Sequence, residues 1–423
     1  KEIGKFYPQE DDGSVPVGYS WARTIPCQNP TCAVKIPLIR QYWLAKGGKR
    51  NVALFPYIID KVLKYKIVGD GYEPIPHRFD PDNGTVARAV VTCPVCGSVV
   101  DDHTTRKLFQ NGNSGERMMA VISHRRGASG KRYRIATEND LQVFKEAQEL
   151  LQGKRSELML KWGMDPIPDE IITTPSHDVD RPPMYGMRTW GDLFNSRQKL
   201  AVTTFADKVQ DCYQKMIDEG TDEEYAKAIM AYLALAVDRL ADFGSSLCML
   251  NPTGGRGVVH TFGRQALTMV WDYFESNPFL EEGAGWPTAC EKNEKWIFHA
   301  SQASSLPAIV VQSSATSIPY PDDFFDAVFT DPPYYDNIGY ANLSDFFYVW
   351  PKRTDGSLYP DLLATPVTPK SNEIVSDPYR HGGEDSAKQF FESMLKKSFQ
   401  EIYRVLKPNG ITTIVYAHKS TEG

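Results

Sequence analysis

Four of the seven cysteines in this 423-residue chain fall into two close pairs, Cys27-x4-Cys32 and Cys93-Pro94-Val95-Cys96. No other feature limits the possible folds as tightly. The second pair has the form of a zinc knuckle, two thiols on a turn with Gly97 permitting the tight backbone. The first is looser, at the upper limit of usual spacing. About 60 residues separate the pairs, well beyond the ordinary ribbon gap of about 15–20, so an insertion is expected between them. A tetrahedral site of Cys27, Cys32, Cys93 and Cys96 uses all four thiols; reduced cysteines in separate turns are the alternative. A closed four-thiolate shell has no position for water or substrate, so the expected zinc is structural. Cys212, Cys248 and Cys290 have no spacing partners and read as small apolar residues. No secretory segment precedes them, so disulfides are not expected, and the setting implied is cytoplasmic.

With 41% hydrophobic and 24% charged residues, the chain reads as globular, and no apolar run approaches the roughly 20 residues of a membrane span. Residues 1–135 alternate turns with short strands and include a basic hairpin. There, Met118–Ser123 leads through His124-Arg125-Arg126 and a Gly127–Gly130 turn into Lys131-Arg132-Tyr133-Arg134. Six Lys/Arg from Arg117 to Arg134 against Glu116 alone are a local excess in a chain of net charge −6. Arg125, Arg126, Lys131, Arg132 and Arg134 are candidate phosphate contacts, with a solvated hairpin as the alternative. Residues 136–305 read as helical: Asn139–Leu151 behind Thr137, Ser196–Ile217, a helix opened by a Thr221-x-x-Glu224 capping box, and Arg264–Phe274. Arg197, Gln198, Arg264 and Gln265, near helix starts, are candidates for phosphate or base edges, with ion pairing the competing role.

Residues 306–423 carry the chemistry. The apolar run Phe325–Thr330 ends in Asp331-Pro332-Pro333-Tyr334. An aromatic exocyclic amine has its lone pair delocalised into the ring, so acceptors on its hydrogens must bend it toward tetrahedral geometry before it attacks an electrophilic methyl. A carboxylate and a proline carbonyl are such acceptors; proline fixes φ and removes a competing N–H. Tyr334 offers a flat face for a base rotated out of its stack. Helical spacing over Ala387–Leu406 stops at Lys407-Pro408-Asn409-Gly410, and the β-branched run Ile411–Ala417 reads as a strand. Two neighbouring parallel strands joined by a crossover are expected, with the tetrad at a carboxyl end, where doubly wound sheets bind ligands.

Asp331-Pro332-Pro333-Tyr334-Tyr335-Asp336-Asn337, Tyr340 and Leu343–Trp350 together resemble the zinc-ribbon-containing adenine-specific DNA methylases of bacteria and archaea. Further segments carry the same resemblance: Trp190–Phe194 with Arg197-Gln198, His260–Ala266, and Ala417–Thr421. It implies a partial doubly wound, Rossmann-like α/β methyltransferase sheet with a zinc-ribbon insertion. It further implies S-adenosylmethionine as donor, adenine N6 of double-stranded DNA as acceptor, and a setting beside other subunits of restriction or anti-phage systems. Asp331 and the Pro332 carbonyl would hold the amine and Tyr334 would stack on the base. Gln312-Ser313-Ser314-Ala315 occupies the place of a loop near the cofactor's adenine, making Ser314, Ala315 and Asp331 cofactor candidates. His418 matches a position of uncertain role.

One departure stands out. Such methylases need a glycine loop after a strand so that backbone can approach the cofactor. The nearest stretch, Asn251-Pro252-Thr253-Gly254-Gly255-Arg256-Gly257, has no second strand ending in an acidic residue after it and reads as a helix-to-helix connection. Beginning at Lys1, the chain is expected to be a fragment whose cofactor loop lies upstream. Transfer to cytosine N4 or to RNA, and a noncatalytic nucleic-acid-binding module, are the competing functions.

Overall fold

The computed structural model describes residues 2–32, 34–48, 50–128, 130–176, 178–253, 257–304, 306–335 and 338–416. The chain is mixed α/β. Its N-terminal half is built on an antiparallel sheet of β1 (Val15–Pro26), β2 (Lys35–Pro37), β9 (Gly115–His124), β10 (Lys131–Ile135) and β13 (Asp272–Ser276), in the order β10-β9-β1-β13 with β2 also on β1. The insertion between the cysteine pairs is a meander of β3 (Trp43–Ala45), β4 (Val52–Ile59) and β5 (Val62–Gly69), followed by β6 (Val86–Ala87) and β7 (Val90–Thr92). β8 (Val99–Val100) pairs with β7 just beyond the second cysteine pair.

Side chains alternate across the main sheet with period two, which divides the core. Tyr19, Trp21, Met118, Val121 and Tyr273 pack toward the helices, whereas Ala22, Ile122 and Phe274 pack toward Tyr42, Leu54, Leu63 and Tyr65 of the meander. Met119 and Ala120 both join the second set, because the β1–β9 register shifts between Ser20↔Ala120 and Trp21↔Met118. Such a bulge re-aims the side chains beyond it. Gly18 permits the β1–β13 approach, since a Cβ there would lie 2.3 Å from the Glu275 carbonyl oxygen.

The helices are α1 (Asp102–Gln110), α2 (Glu138–Trp162), α3 (Ser196–Asp218), α4 (Glu223–Phe243), α5 (Trp286–Ser301), α6 (Tyr340–Tyr348), the single turns α7 (Pro351–Thr354), α8 (Pro360–Leu363) and α9 (Pro378–His381), and α10 (Glu384–Val405). Thr137 and Asp140 close a reciprocal capping box on α2, and Asn195 and Gln198 do the same on α3. For α4 the expected Thr221 box is replaced by Asp222, whose carboxylate accepts from the Tyr225 N–H. A carboxylate one residue nearer the helix makes the stronger cap. No helix among the described residues is long and apolar enough to cross a membrane.

Two further expectations are corrected. Residues 264–271 are turns and extended chain leading into β13, not a helix; the β-branched and aromatic residues of this stretch bury better against β1. The stretch from Asn251 to Gly257 joins the short antiparallel strands β11 (Met249–Leu250) and β12 (Val258–Val259), so it is a hairpin connection rather than a helix-to-helix one. Its residues 254–256 lie outside those described.

The C-terminal region contains the expected parallel pair. β14 (Phe325–Thr330) and β15 (Leu406–Ile414) run side by side, joined by a crossover containing α6 to α10. α10 passes directly into β15, five residues ahead of the expected start at Ile411. The pairing jumps from Phe325↔Leu406 to Ala327↔Ile411, so Lys407-Pro408-Asn409-Gly410 bulges opposite Asp326. A bulge is where a strand tolerates proline, which has no ladder N–H to give.

Candidate metal centre and the Asp-Pro-Pro-Tyr loop

β1 delivers Cys27 at its end. The turn behind it is set by Cys27 N–H donating to Val34 O at 2.8 Å and Cys32 N–H to Asn29 O at 3.0 Å. The second pair sits between β7 and β8, where Cys93 N–H donates to Ser98 O at 2.8 Å and Gly97 N–H to Cys93 O at 2.9 Å. Gly97 has φ +74°, a left-handed conformation that glycine adopts without strain. These turns bring the thiols of Cys27, Cys32, Cys93 and Cys96 within 4.8 Å of one another.

The Sγ–Sγ separations are 3.6 Å for Cys27–Cys96 and 3.9 Å for Cys32–Cys93. A tetrahedron with zinc–sulfur bonds of about 2.3 Å has sulfurs about 3.8 Å apart, whereas a disulfide needs about 2.05 Å. All four are free thiols. The donor set and its spacing therefore fit a metal ion such as zinc. Burial pushes the Cys27 thiol up to about 12, while the hydrogen bond with Ser98 brings Cys96 down to about 6. The cluster is thus a mixture of easily and reluctantly ionised thiols, and a cation at its centre would favour the thiolate of each.

The tetrad follows β14 directly. Thr330 O still accepts from Val415 N–H at 2.9 Å, so the chain leaves the sheet at Asp331. Pro332 is buried, Asp331 exposed and Tyr334 half-buried. Interaction with the Asp331 carboxylate, together with some desolvation, raises the Tyr334 pKa. Its ring meets Tyr416 edge to face at 5.5 Å, and the Tyr335 ring meets Phe391 of α10 at 5.4 Å. The loop therefore offers an accessible carboxylate beside an aromatic face. Asp336, Asn337 and His418 lie outside the described residues.

The remaining candidates are dispersed. Ser314 and Ala315 are exposed on a turn where Ser314 pairs with Ser317 and its hydroxyl with Thr316. Among the described residues no hydrogen bond joins them to the tetrad. Of the hairpin cations, Arg125 and Arg126 are exposed, Arg126 lying 3.6 Å from Glu281. Arg132 pairs with Asp12, and Arg134 donates to Glu10 at 2.8 Å and to Asp140 at 2.6 Å. Burial lowers the Lys131 pKa. The local positive excess seen in sequence is thus partly cancelled by acids from the N-terminal segment and α2. Arg264 and Gln265 are exposed in the turn before β13.

Arg197 and Gln198 are buried. Gln198 caps α3, and Arg197 pairs with Glu275 at 2.6 Å inside the core. Sequence reasoning passed over Asp178, Glu373 and Arg380, which surround the far end of the tetrad loop. The only signal for them was charge in otherwise loop-like stretches.

Comparison with protein-family descriptions, with curated proteins and with solved structures returns no match.

Proposed function

We propose that the chain holds the exocyclic amine of a flipped-out adenine for N6 methylation of DNA. The observation that carries this reading is the tetrad at the carboxyl end of β14 in a parallel strand pair, the position where open α/β sheets bind ligands. Asp331 is exposed to accept an amine hydrogen, and the Pro332 carbonyl is the second acceptor in this reading. Tyr334, braced by Tyr416, supplies a stacking face for the base. Holding both hydrogens turns the amine's lone pair out of the ring plane, and that orientation is what the chain's own residues contribute.

The wider doubly wound fold, double-stranded DNA and defence-system subunits as partners, and a reducing cytoplasmic setting belong to the same proposal. S-adenosylmethionine is its methyl donor, with Ser314 and Ala315 as candidates near the donor's adenine. The described residues do not fit the donor's methionine end. The Asn251–Gly257 stretch lies in a hairpin rather than between a strand and a helix. This misfit also favours a second reading, a noncatalytic nucleic-acid-binding module.

The test incubates the chain with S-adenosylmethionine and unmodified duplex DNA, digests the DNA to nucleosides and weighs them. The amine-holding reading requires N6-methyladenine from the wild type and none from Asp331→Ala, with DNA affinity within a few-fold. Near-normal turnover by Asp331→Ala would sink the assigned role. No methylated nucleoside from the wild type would favour the binding module.

A further inference from the structure

The loop that begins at Asp331 ends at Gly339, the N-cap of α6. This cap has no side chain of its own to receive the helix's free N–H groups, and the first turn contains no acidic residue. Both deficits are met from distant segments. Asp178 Oδ2 accepts from Gly339 N–H at 2.9 Å, and Glu373 Oε1 accepts from Ala341 N–H at 2.8 Å. The other Glu373 oxygen pairs with Arg380, whose Nε lies 3.1 Å from Asp377. Asn342 is 3% exposed and donates to Ser176 at 2.6 Å, tying the same turn to the segment that carries Asp178.

These groups converge on one point. A Cβ at residue 339 would lie 3.1 Å from Asp178 Oδ2, 3.1 Å from Asn342 Nδ2 and 3.6 Å from Arg380 Nη2. Gly339 thus lets a carboxylate, an amide and a guanidinium close on the backbone. Carboxylates at a helix N-terminus are also favoured by its partial positive charge. The near end of the loop is fixed by β14 and the far end by this cluster.

We propose that Asp178 and Glu373, the latter held by Arg380, are positioning residues that fix the amine-holding loop. The inference rests on the reading of that loop given above. The carboxylates touch neither amine nor donor. They restrict where Asp331 and Pro332 can lie, and displacement of a reacting group by about 1 Å can cost on the order of a hundredfold in rate.

Three variants test this, Asp178→Ala, Glu373→Ala and Glu373→Gln, each first shown to melt as a folded protein. Hydrogen exchange over residues 331–345 is measured without substrate, and kcat and KM for duplex DNA are measured in the transfer assay. Glu373→Ala is expected to speed exchange at Ala341 by roughly tenfold or more, and Asp178→Ala should do so at Gly339. Each should lower kcat at least tenfold with KM nearly unchanged. Glu373→Gln keeps an acceptor for Ala341 N–H and should recover part of both effects. Unchanged exchange, or faster exchange with unchanged kcat, would overturn the proposal. If the wild type transfers no methyl group, the functional reading fails, and exchange alone then decides whether the carboxylates fix the loop.

Discussion

At the residue scale, the largest energies sit on buried charges whose partners are far away in sequence. Arg197 and Glu275 are 1% and 0% exposed. Arg197 Nε and Nη2 donate to Glu275 at 2.6 and 3.0 Å, and Nη1 donates to Phe6 O at 3.0 Å. Trp21 and Asn195 donate to the same carboxylate at 2.7 and 3.1 Å, and the Tyr19 ring lies 3.9 Å from the guanidinium carbon. Removing one partner leaves an uncompensated charge in the core. Glu275→Leu is therefore expected to cost about 3–5 kcal/mol and the double variant Arg197→Met/Glu275→Leu markedly less, measured by urea unfolding. Equal losses in the two would show that the carboxylate's other contacts dominate. The sequence marked Arg197 as a polar residue at a helix start but gave no hint of its partner, which is 78 positions away. Asp355 shows the opposite situation. Its buried Oδ1 has no hydrogen-bond partner among the described residues, and burial pushes the carboxyl up to about 6 from 3.8. An acid that holds its proton more tightly when folded costs nothing below its unfolded pKa. The cost grows from there to the folded pKa and is constant above it. Asp355→Asn should accordingly stabilise the protein above about pH 6, by on the order of 1–2 kcal/mol, with the gain vanishing below about pH 4. A gain that persists at low pH would mean that the effect is not ionisation.

At the element scale, local signals and the β14–β15 pairing were legible, and the pairing of β13 with β1 was not. Thr137 marked the start of α2, and the crossover and parallel partnership of β14 and β15 followed from the order of apolar runs. The Arg264–Phe274 segment failed because a short apolar run has the same look in a buried strand and a helix. What decided it was the neighbouring β1, with Tyr273 opposite Trp21. The β14–β15 pair also has a property that no periodicity reveals. Parallel strands are normally covered on both faces, yet Phe329 is 75% exposed, Ile411 68% and Val415 55%. Two strands with uncovered faces have little tertiary packing to hold their hydrogen bonds closed. Hydrogen exchange of β14 and β15 amides should therefore be faster than that of β1 and β9, by on the order of a hundredfold. Equal protection would show that the pair is stabilised by more than its visible packing.

At the scale of the whole molecule, the four thiols lie where the end of β1 meets the β7–β8 turn, on either side of an insertion that includes the β3–β5 meander. The knuckle at Cys93 and Cys96 was legible because its chemistry is local. The distance to the first pair was not, since the meander has its own core around Tyr42, Leu54 and Tyr65 and returns the chain to its starting point without any spacing rule. Cys32 and Cys93 are 61 positions apart, and closing a loop of that length in the unfolded chain costs on the order of 4 kcal/mol. A metal that binds only the folded chain adds its binding free energy to stability. Removal of the metal should thus loosen the β6–β8 region and α1 first and leave α2 and α3 protected. Zinc content near one per chain is expected for the wild type and near zero for Cys93→Ser. Chelator treatment should lower the melting temperature and expose residues 86–110 to protease. Acid should release the metal as well, since protons compete for each thiolate and burial pushes the Cys27 thiol up. Full zinc in Cys93→Ser would mean that these four thiols are not the ligand set, and the separations of 3.6 and 3.9 Å would then describe a reduced cluster packed between two turns.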